Sequence, residues 1–123
     1  MADPRHLLGL RAEEAVAVWL TGQGWQVLAR RWRCARGELD LVCRDEAGTL
    51  VGLEVKSRRT PRAGTPADGV DRRRVARLRS ALVAFQAQTF EPAPALRIDL
   101  VTAIPLAGES GWRLVRLPTI DAW

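Results

Sequence analysis

Lysine occurs once in this chain, at position 56, although lysine and arginine together number 19. Tyrosine is absent, histidine is confined to His6, and cysteine to Cys34 and Cys43. These shortages exclude functions. One histidine near the terminus and two cysteines cannot supply the four ligands of a structural zinc site. No apolar run approaches the roughly 20 residues of a membrane helix. Asp3 comes early and charges interrupt every apolar run near the start, unlike a secretory leader. A cytoplasmic protein with no membrane partner is expected. The scarcity of lysine matters chemically as well. Where positive charge alone suffices, this chain uses arginine, so Lys56 marks a place where a compact ammonium is wanted.

What is present suits one folded unit. At 123 residues and 47% hydrophobic, the chain can build a single core, and 1–123 reads as one domain. Its net charge of +5 and pI of about 10.8 fit a nucleic-acid partner. The charge is uneven. From Glu54 to Arg79 there are nine Lys/Arg and three Asp/Glu, a net +6, so the rest of the chain nets −1.

The stretch from Gly37 to Lys56 organises the chain. Leu39, Leu41 and Cys43 alternate with Glu38, Asp40 and Val42; Val51, Leu53 and Val55 alternate with Gly52, Glu54 and Lys56. Period-two alternation predicts two half-buried strands, about 38–45 and 49–57. Glu46-Ala47-Gly48 suits a three-residue hairpin loop with Gly48 left-handed. If Asp45 closes opposite Thr49, then Asp40 lies opposite Glu54 and Glu38 opposite Lys56. Two carboxylates directly opposed repel one another unless a cation or a proton intervenes. A hard divalent ion takes such oxygen ligands, and Lys56 shares the face two residues beyond Glu54. Spacing alone leaves a second arrangement open, a solvated face with Lys56 paired to Glu38.

The remaining elements follow from pattern. Leu8 to about Gly22 reads as a helix, with Leu8, Ala12, Ala15, Val16 and Trp19 on its apolar side. Glu13 borders that side, while Glu14 points about 100° further round. Trp25 to Arg33 reads as a strand with Trp25, Val27 and Ala29 on one side. Residues 58–70 form a basic loop carrying Arg58, Arg59 and Arg62, each suited to phosphate contacts or to a solvated linker. Asp71 caps a second helix to about Gln88, with Val75, Leu78, Leu82 and Phe85 inward and Arg74 on the edge facing the sheet. Leu96–Ile104 and Trp112–Leu117 read as a closing hairpin, with an Arg97–Asp99 pair on the first strand and a tail over 118–123. Trp32 and Trp112 suit either the core or stacking on bases.

Gly37-Glu38-Leu39-Asp40, then Glu54-Val55-Lys56, resembles the active-site pattern of the PD-(D/E)XK nuclease superfamily. Within it the chain is most similar to the small bacterial YraN-like family, whose fold resembles that of archaeal Holliday-junction resolvases. The resemblance runs from about Gly9 to Val101. It includes Gly9 with Glu13, Trp32-Arg33, Arg58, Gly64 with Pro66, and Arg97-Ile98-Asp99. Two positions depart from that pattern, Arg74 where lysine is common and Ala63 where an aromatic is common. The resemblance implies an α/β fold with a restriction-endonuclease-like core. Its mixed central sheet is flanked by helices, in the order α-β-β-β-α-β-β. It implies Asp40, Glu54, Lys56 and Glu13 as catalytic residues. Mg²⁺ or Mn²⁺ would be held by Asp40, Glu54, the Val55 carbonyl and Glu13. Arg58, Arg59, Arg62 and Arg74 would contact nucleic acid. The expected function is a metal-dependent nuclease acting on branched or structured DNA, with RNA and a homodimer left open. The alternative is a non-catalytic nucleic-acid-binding module that keeps the nuclease fold.

Overall fold

A computed structural model describes residues 3–58, 71–108 and 111–122. The elements are α1 (Pro4–Gly22), β1 (Gln26–Cys34), β2 (Gly37–Arg44), β3 (Leu50–Ser57), α2 (Arg72–Thr89), β4 (Leu96–Pro105) and β5 (Trp112–Leu117). This is the expected order. The five strands form one sheet in the order β1-β2-β3-β4-β5. All neighbours are antiparallel except β3 and β4, which are parallel and joined by the α2 crossover. No helix among the described residues is long and apolar enough to cross a membrane.

Each helix covers one face. Val16, Ala17 and Leu20 of α1 pack with Trp25, Leu41, Cys43, Val51, Leu53 and Val101. Leu78, Ala81, Leu82 and Phe85 of α2 pack with Leu39, Val42, Leu50 and Ile98. Burial on both faces explains the unbroken runs Leu41–Cys43 in β2 and Leu50–Leu53 in β3, unlike a strand with one wet face. Cys43 is a free, buried thiol, and burial pushes its pKa up to about 12.

Helix α1 begins four residues earlier than its apolar pattern. Pro4 occupies the first turn and the Asp3 carboxylate accepts the Arg5 amide at 2.9 Å, so proline and cap set the start. Ala15 and Trp19, expected inward, are only half-buried, while Ala17 and Leu20 are fully covered. For α2, the Asp71 cap stands, accepting the Arg73 amide at 2.9 Å.

Two alternations break. A bulge between Val27 and Ala29 shifts the β1 register. Val27 therefore packs on the α1 side and Ala29 on the α2 side, not together. Leu39 likewise joins the α2 cluster, while Leu41 and Cys43 join the α1 cluster. The change of side falls at Asp40. The residue that would face it on β1, Arg31, has φ +50° and is missing from the ladder between Arg30↔Leu41 and Trp32↔Leu39. An arginine in the left-handed region is uncommon, and such strained positions gather at functional sites.

The C-terminal segment is tied to β4. The Ile120 amide donates to the Ile98 carbonyl at 2.8 Å. The Asp121 carboxylate accepts the Ile98 amide at 3.0 Å and Arg79 at 2.6 Å. Arg97 and Asp99 do pair, at 2.9 Å, within a wider network. Arg116 also binds Asp99 at 2.9 Å, Arg97 reaches Asp45 at 2.8 Å, and both guanidinium groups lie against Trp25. Trp32 packs edge-on against Phe85, 5.3 Å between centroids, which places it in the core.

Candidate functional site

The hairpin closes as its sequence indicates. The Asp45 amide donates to the Thr49 carbonyl at 3.0 Å, and Gly48 has φ +87°. From there the β2–β3 ladder runs back through Arg44↔Leu50 to Leu41↔Leu53 and stops. Beyond that rung β2 stays paired with β1, and β3 stays paired with β4 out to Ser57↔Ala103. The two strands part like a V. Asp40 and Glu54 are the first residues past the last rung, one on each arm.

Asp40 is what holds the V open. Its Oδ2 accepts the Val55 amide at 2.8 Å, a bond that a β2 carbonyl would make in a continuous ladder. A side chain between two strands spaces them wider than backbone pairing does. This also fixes the carboxylate's orientation.

The mouth of the V is crowded with negative charge. The Asp40 pKa is raised from 3.8 to about 6, mainly by burial. The Val55 hydrogen bond opposes the rise, and the carboxylates of Glu13, Glu54 and Glu38 add to it. Burial also raises Glu13, with Arg31 opposing and Glu38 reinforcing. Two arginines counter the acids. The Arg31 Nε lies 3.9 Å from both Glu13 and Glu38. Arg74 reaches down from α2 and clamps Glu54, its Nε donating to both carboxylate oxygens at 2.8 Å and a terminal nitrogen also bonding Oε1. Glu54 is buried, whereas half of the Arg74 side chain is exposed.

Glu13, Glu38 and Glu54 thus lie near enough to Asp40 to act on its charge, the Val55 amide is bonded to it, and Lys56 follows on the same strand. Arg74, read from sequence as a phosphate ligand, instead binds Glu54. It precedes the buried Leu78 by one helical turn, which aims it at the sheet. Glu38 pairs with Arg33 at 3.1 Å. Arg58 directly follows β3, its amide donating to the Ala103 carbonyl at 3.0 Å. Arg59 and Arg62 lie outside the described residues. Two members of the site escape sequence reasoning, Glu38 as a fourth carboxylate and Arg31 as the cation between acids. Nothing in an arginine codon announces a positive φ.

The oxygen donors are of the right kind for a hard divalent ion. Among the described residues, no three His, Cys, Asp or Glu side chains converge as a ready-made metal cage. Mg²⁺ needs none, because it commonly uses one or two carboxylates, waters and substrate oxygens. Asp40, Glu54 and the Val55 carbonyl fit that pattern, and a cation there would offset the burial and the neighbouring carboxylates that raise Asp40.

Fold and site together define an α/β protein with an acidic cluster where two central strands separate. Residues 12–103 match the family described as "Uncharacterised protein family UPF0102". The chain is 40% identical to a UPF0102 protein of Beutenbergia cavernae over 79% of this chain and 81% of the relative. It is also 40% identical to one of Acidothermus cellulolyticus, over 97% of this chain and 83% of that protein. The chain belongs to the UPF0102, or YraN-like, family.

Proposed function

We propose that this protein is a metal-dependent nuclease that hydrolyses phosphodiester bonds in DNA, with branched or structured DNA as its substrate. One observation carries the reading: Asp40 and Glu54 flank the point where β2 and β3 diverge, and the chain's single lysine follows two residues after Glu54. Asp40, Glu54 and the Val55 carbonyl would hold Mg²⁺ or Mn²⁺, with Glu13 completing the shell. When bound, the ion supplies Lewis-acid polarisation of a phosphoryl oxygen. The Val55 amide keeps Asp40 turned into the mouth, and Arg74 keeps Glu54 there. Lys56 orients the attacking water and offsets charge developing on the phosphate. The water oxygen adds to phosphorus, the bond to the leaving sugar oxygen breaks, and that oxygen takes up the proton. The preference for structured substrates rests on the resemblance to resolvase-like folds.

A second reading is favoured by the Arg74–Glu54 clamp. A carboxylate gripped by a guanidinium is less available to a metal, as suits a binding module that has kept the fold without its chemistry.

The two readings separate in a cleavage assay on duplex, flap and four-way-junction DNA with Mg²⁺ or Mn²⁺. The wild type is expected to cleave at least one substrate. Lys56→Arg is expected to fold and bind DNA normally yet lose about 10²–10⁴ in rate, because a wide planar fork cannot take the place of an ammonium beside the water. Wild-type activity in Lys56→Arg would reduce Lys56 to a counter-charge. Binding without cleavage by the wild type, whatever the metal, would establish the second reading.

A further inference from the structure

The two partners of the Arg74–Glu54 clamp are not equally fixed. Glu54 sits within β3, paired with Leu100 of β4, and its side chain is only 10% exposed. Arg74 reaches in from the third residue of α2 on a long side chain that is 51% exposed. The acid is covered, and the guanidinium lies over it with its outer half in water. If the pair opens, Arg74 is the member that moves.

The grip occupies what a cation would use. A carboxylate oxygen has two lone pairs. Oε1 accepts from both Nε and a terminal nitrogen of Arg74, and Oε2 accepts from Nε. These hydrogen bonds raise the Arg74 pKa, burial opposes the rise, and the charges of Glu54, Asp40 and Asp71 add to it. Arg74 thus neutralises part of the acidic pair itself. A second cation at Glu54 would face that positive charge at close range.

The outer half of Arg74 points to what draws it away. A guanidinium matches a phosphate with two parallel hydrogen bonds. Arg73 and Arg77, on the same two turns of α2, are exposed and make no ion pair among the described residues. Asp71 caps the helix through the Arg73 amide. A phosphate arriving at the start of α2 therefore meets three guanidinium groups, of which only Arg74 already holds a carboxylate.

We propose that a phosphate of the bound strand draws Arg74 off Glu54, so that Glu54 becomes free to hold a metal ion only when nucleic acid is in place. This rests on the metal-dependent nuclease reading above and adds what regulates that site: the clamp closes the empty protein without abolishing its chemistry. Phosphate and cation both disfavour the clamp, so each strengthens binding of the other by the same factor.

Ca²⁺ serves as the probe, since it takes the same kind of oxygen ligands. Calorimetry measures Ca²⁺ binding to the free protein. Fluorescence anisotropy measures binding of four-way-junction DNA in EDTA and in Ca²⁺ at equal ionic strength. Arg74→Gln is expected to bind Ca²⁺ about tenfold more tightly than the wild type. Arg74→Lys, whose ammonium cannot span both oxygens, should fall between them. A residue that merely supported Glu54 would give the opposite sign, with weaker Ca²⁺ binding in both variants. Ca²⁺ should raise the DNA affinity of the wild type about tenfold, within the usual range for coupled sites, and that of Arg74→Gln by about twofold or less. Ca²⁺ binding no tighter in the variants than in the wild type would overturn the clamp, and Arg74→Lys decides this comparison should Arg74→Gln fail to fold. An equal Ca²⁺ enhancement of DNA binding in wild type and Arg74→Gln would also overturn it, because direct contact between phosphate and ion would then suffice. A wild type that binds DNA equally with and without Ca²⁺ would overturn the coupling and leave the nucleic-acid reading intact. A wild type that binds no DNA would overturn the nucleic-acid reading itself.

Discussion

Asp40 carries the most unusual chemistry of any residue here. It is a carboxylate placed where a backbone carbonyl is normally found, surrounded by Glu13, Glu38 and Glu54. Its pKa of about 6, raised above 3.8, has a consequence for folding. Below about pH 3.8 the folded and unfolded states both hold the proton. Between 3.8 and 6 the folded state keeps it and the unfolded state releases it, so stability falls as pH rises through that window. Above 6 the loss is complete. Asp40→Asn removes the ionisation, so its stability relative to wild type is expected to improve from pH 4 to pH 7, by at most about 3 kcal/mol. Urea unfolding of both proteins at the two pH values measures this. A constant difference would mean that Asp40 ionises as freely folded as unfolded. The hairpin register could be read from sequence as far as Leu41↔Leu53, because register is arithmetic once the turn is known, but the ladder ends one rung short of the expected Asp40–Glu54 pair. The strain at Arg31 was not legible, since φ at a non-glycine residue is imposed by neighbours.

At the scale of elements, β3 is the part on which the site depends. It carries Glu54, Val55 and Lys56, and its position is set by Gly52 two residues earlier. A β-carbon at Gly52 would stand 3.0 Å from the Ile98 Cδ1 and 3.1 Å from the Leu39 Cδ2, with Leu82 behind them. Strand β3 can sit this close to the α2-side core only because that position is bare. Gly52→Ala is therefore expected to overpack and to cost about 1–3 kcal/mol in chemical unfolding. Ile98→Val, which lacks the nearest methyl, should recover part of that loss in the double variant. Purely additive losses would show that the crowding lies elsewhere. The bulge in β1 teaches the same lesson. Alternation placed Val27 and Ala29 together, but one extra residue between them turned Ala29 to the other face. Bulges leave little trace in a run such as Gln26–Cys34, where neither face is strongly apolar.

For the whole molecule, charge is the broadest feature. Many arginines are consumed internally, by Asp99, Asp121, Glu91, Glu54 and the acids flanking Arg31. Arg36, Arg73 and Arg77 make no ion pair among the described residues, and all three are exposed. They also lie close together, because Arg36 bonds Ser80 at 3.3 Å and Gly37 sits against the Arg77 carbonyl. If three such groups neutralise phosphates, log K for DNA against log salt should have a slope near −2.7, at about −0.9 per contact. Replacing Arg36 and Arg77 with alanine should flatten it by about two contacts. A slope near zero in the wild type would separate the high pI from any nucleic-acid role. Sequence alone determined the element order, the turn of the hairpin, the Asp71 cap and the acidic residues with their lysine, because periodicity, turn residues and spacing act over a few positions. Only the tertiary structure decided that β2 and β3 part at Asp40, that Arg74 grips Glu54, and that Trp19 and Trp112 share a groove. Each of these joins residues far apart in the chain, and their meeting depends on how two helices settle on opposite faces of one sheet.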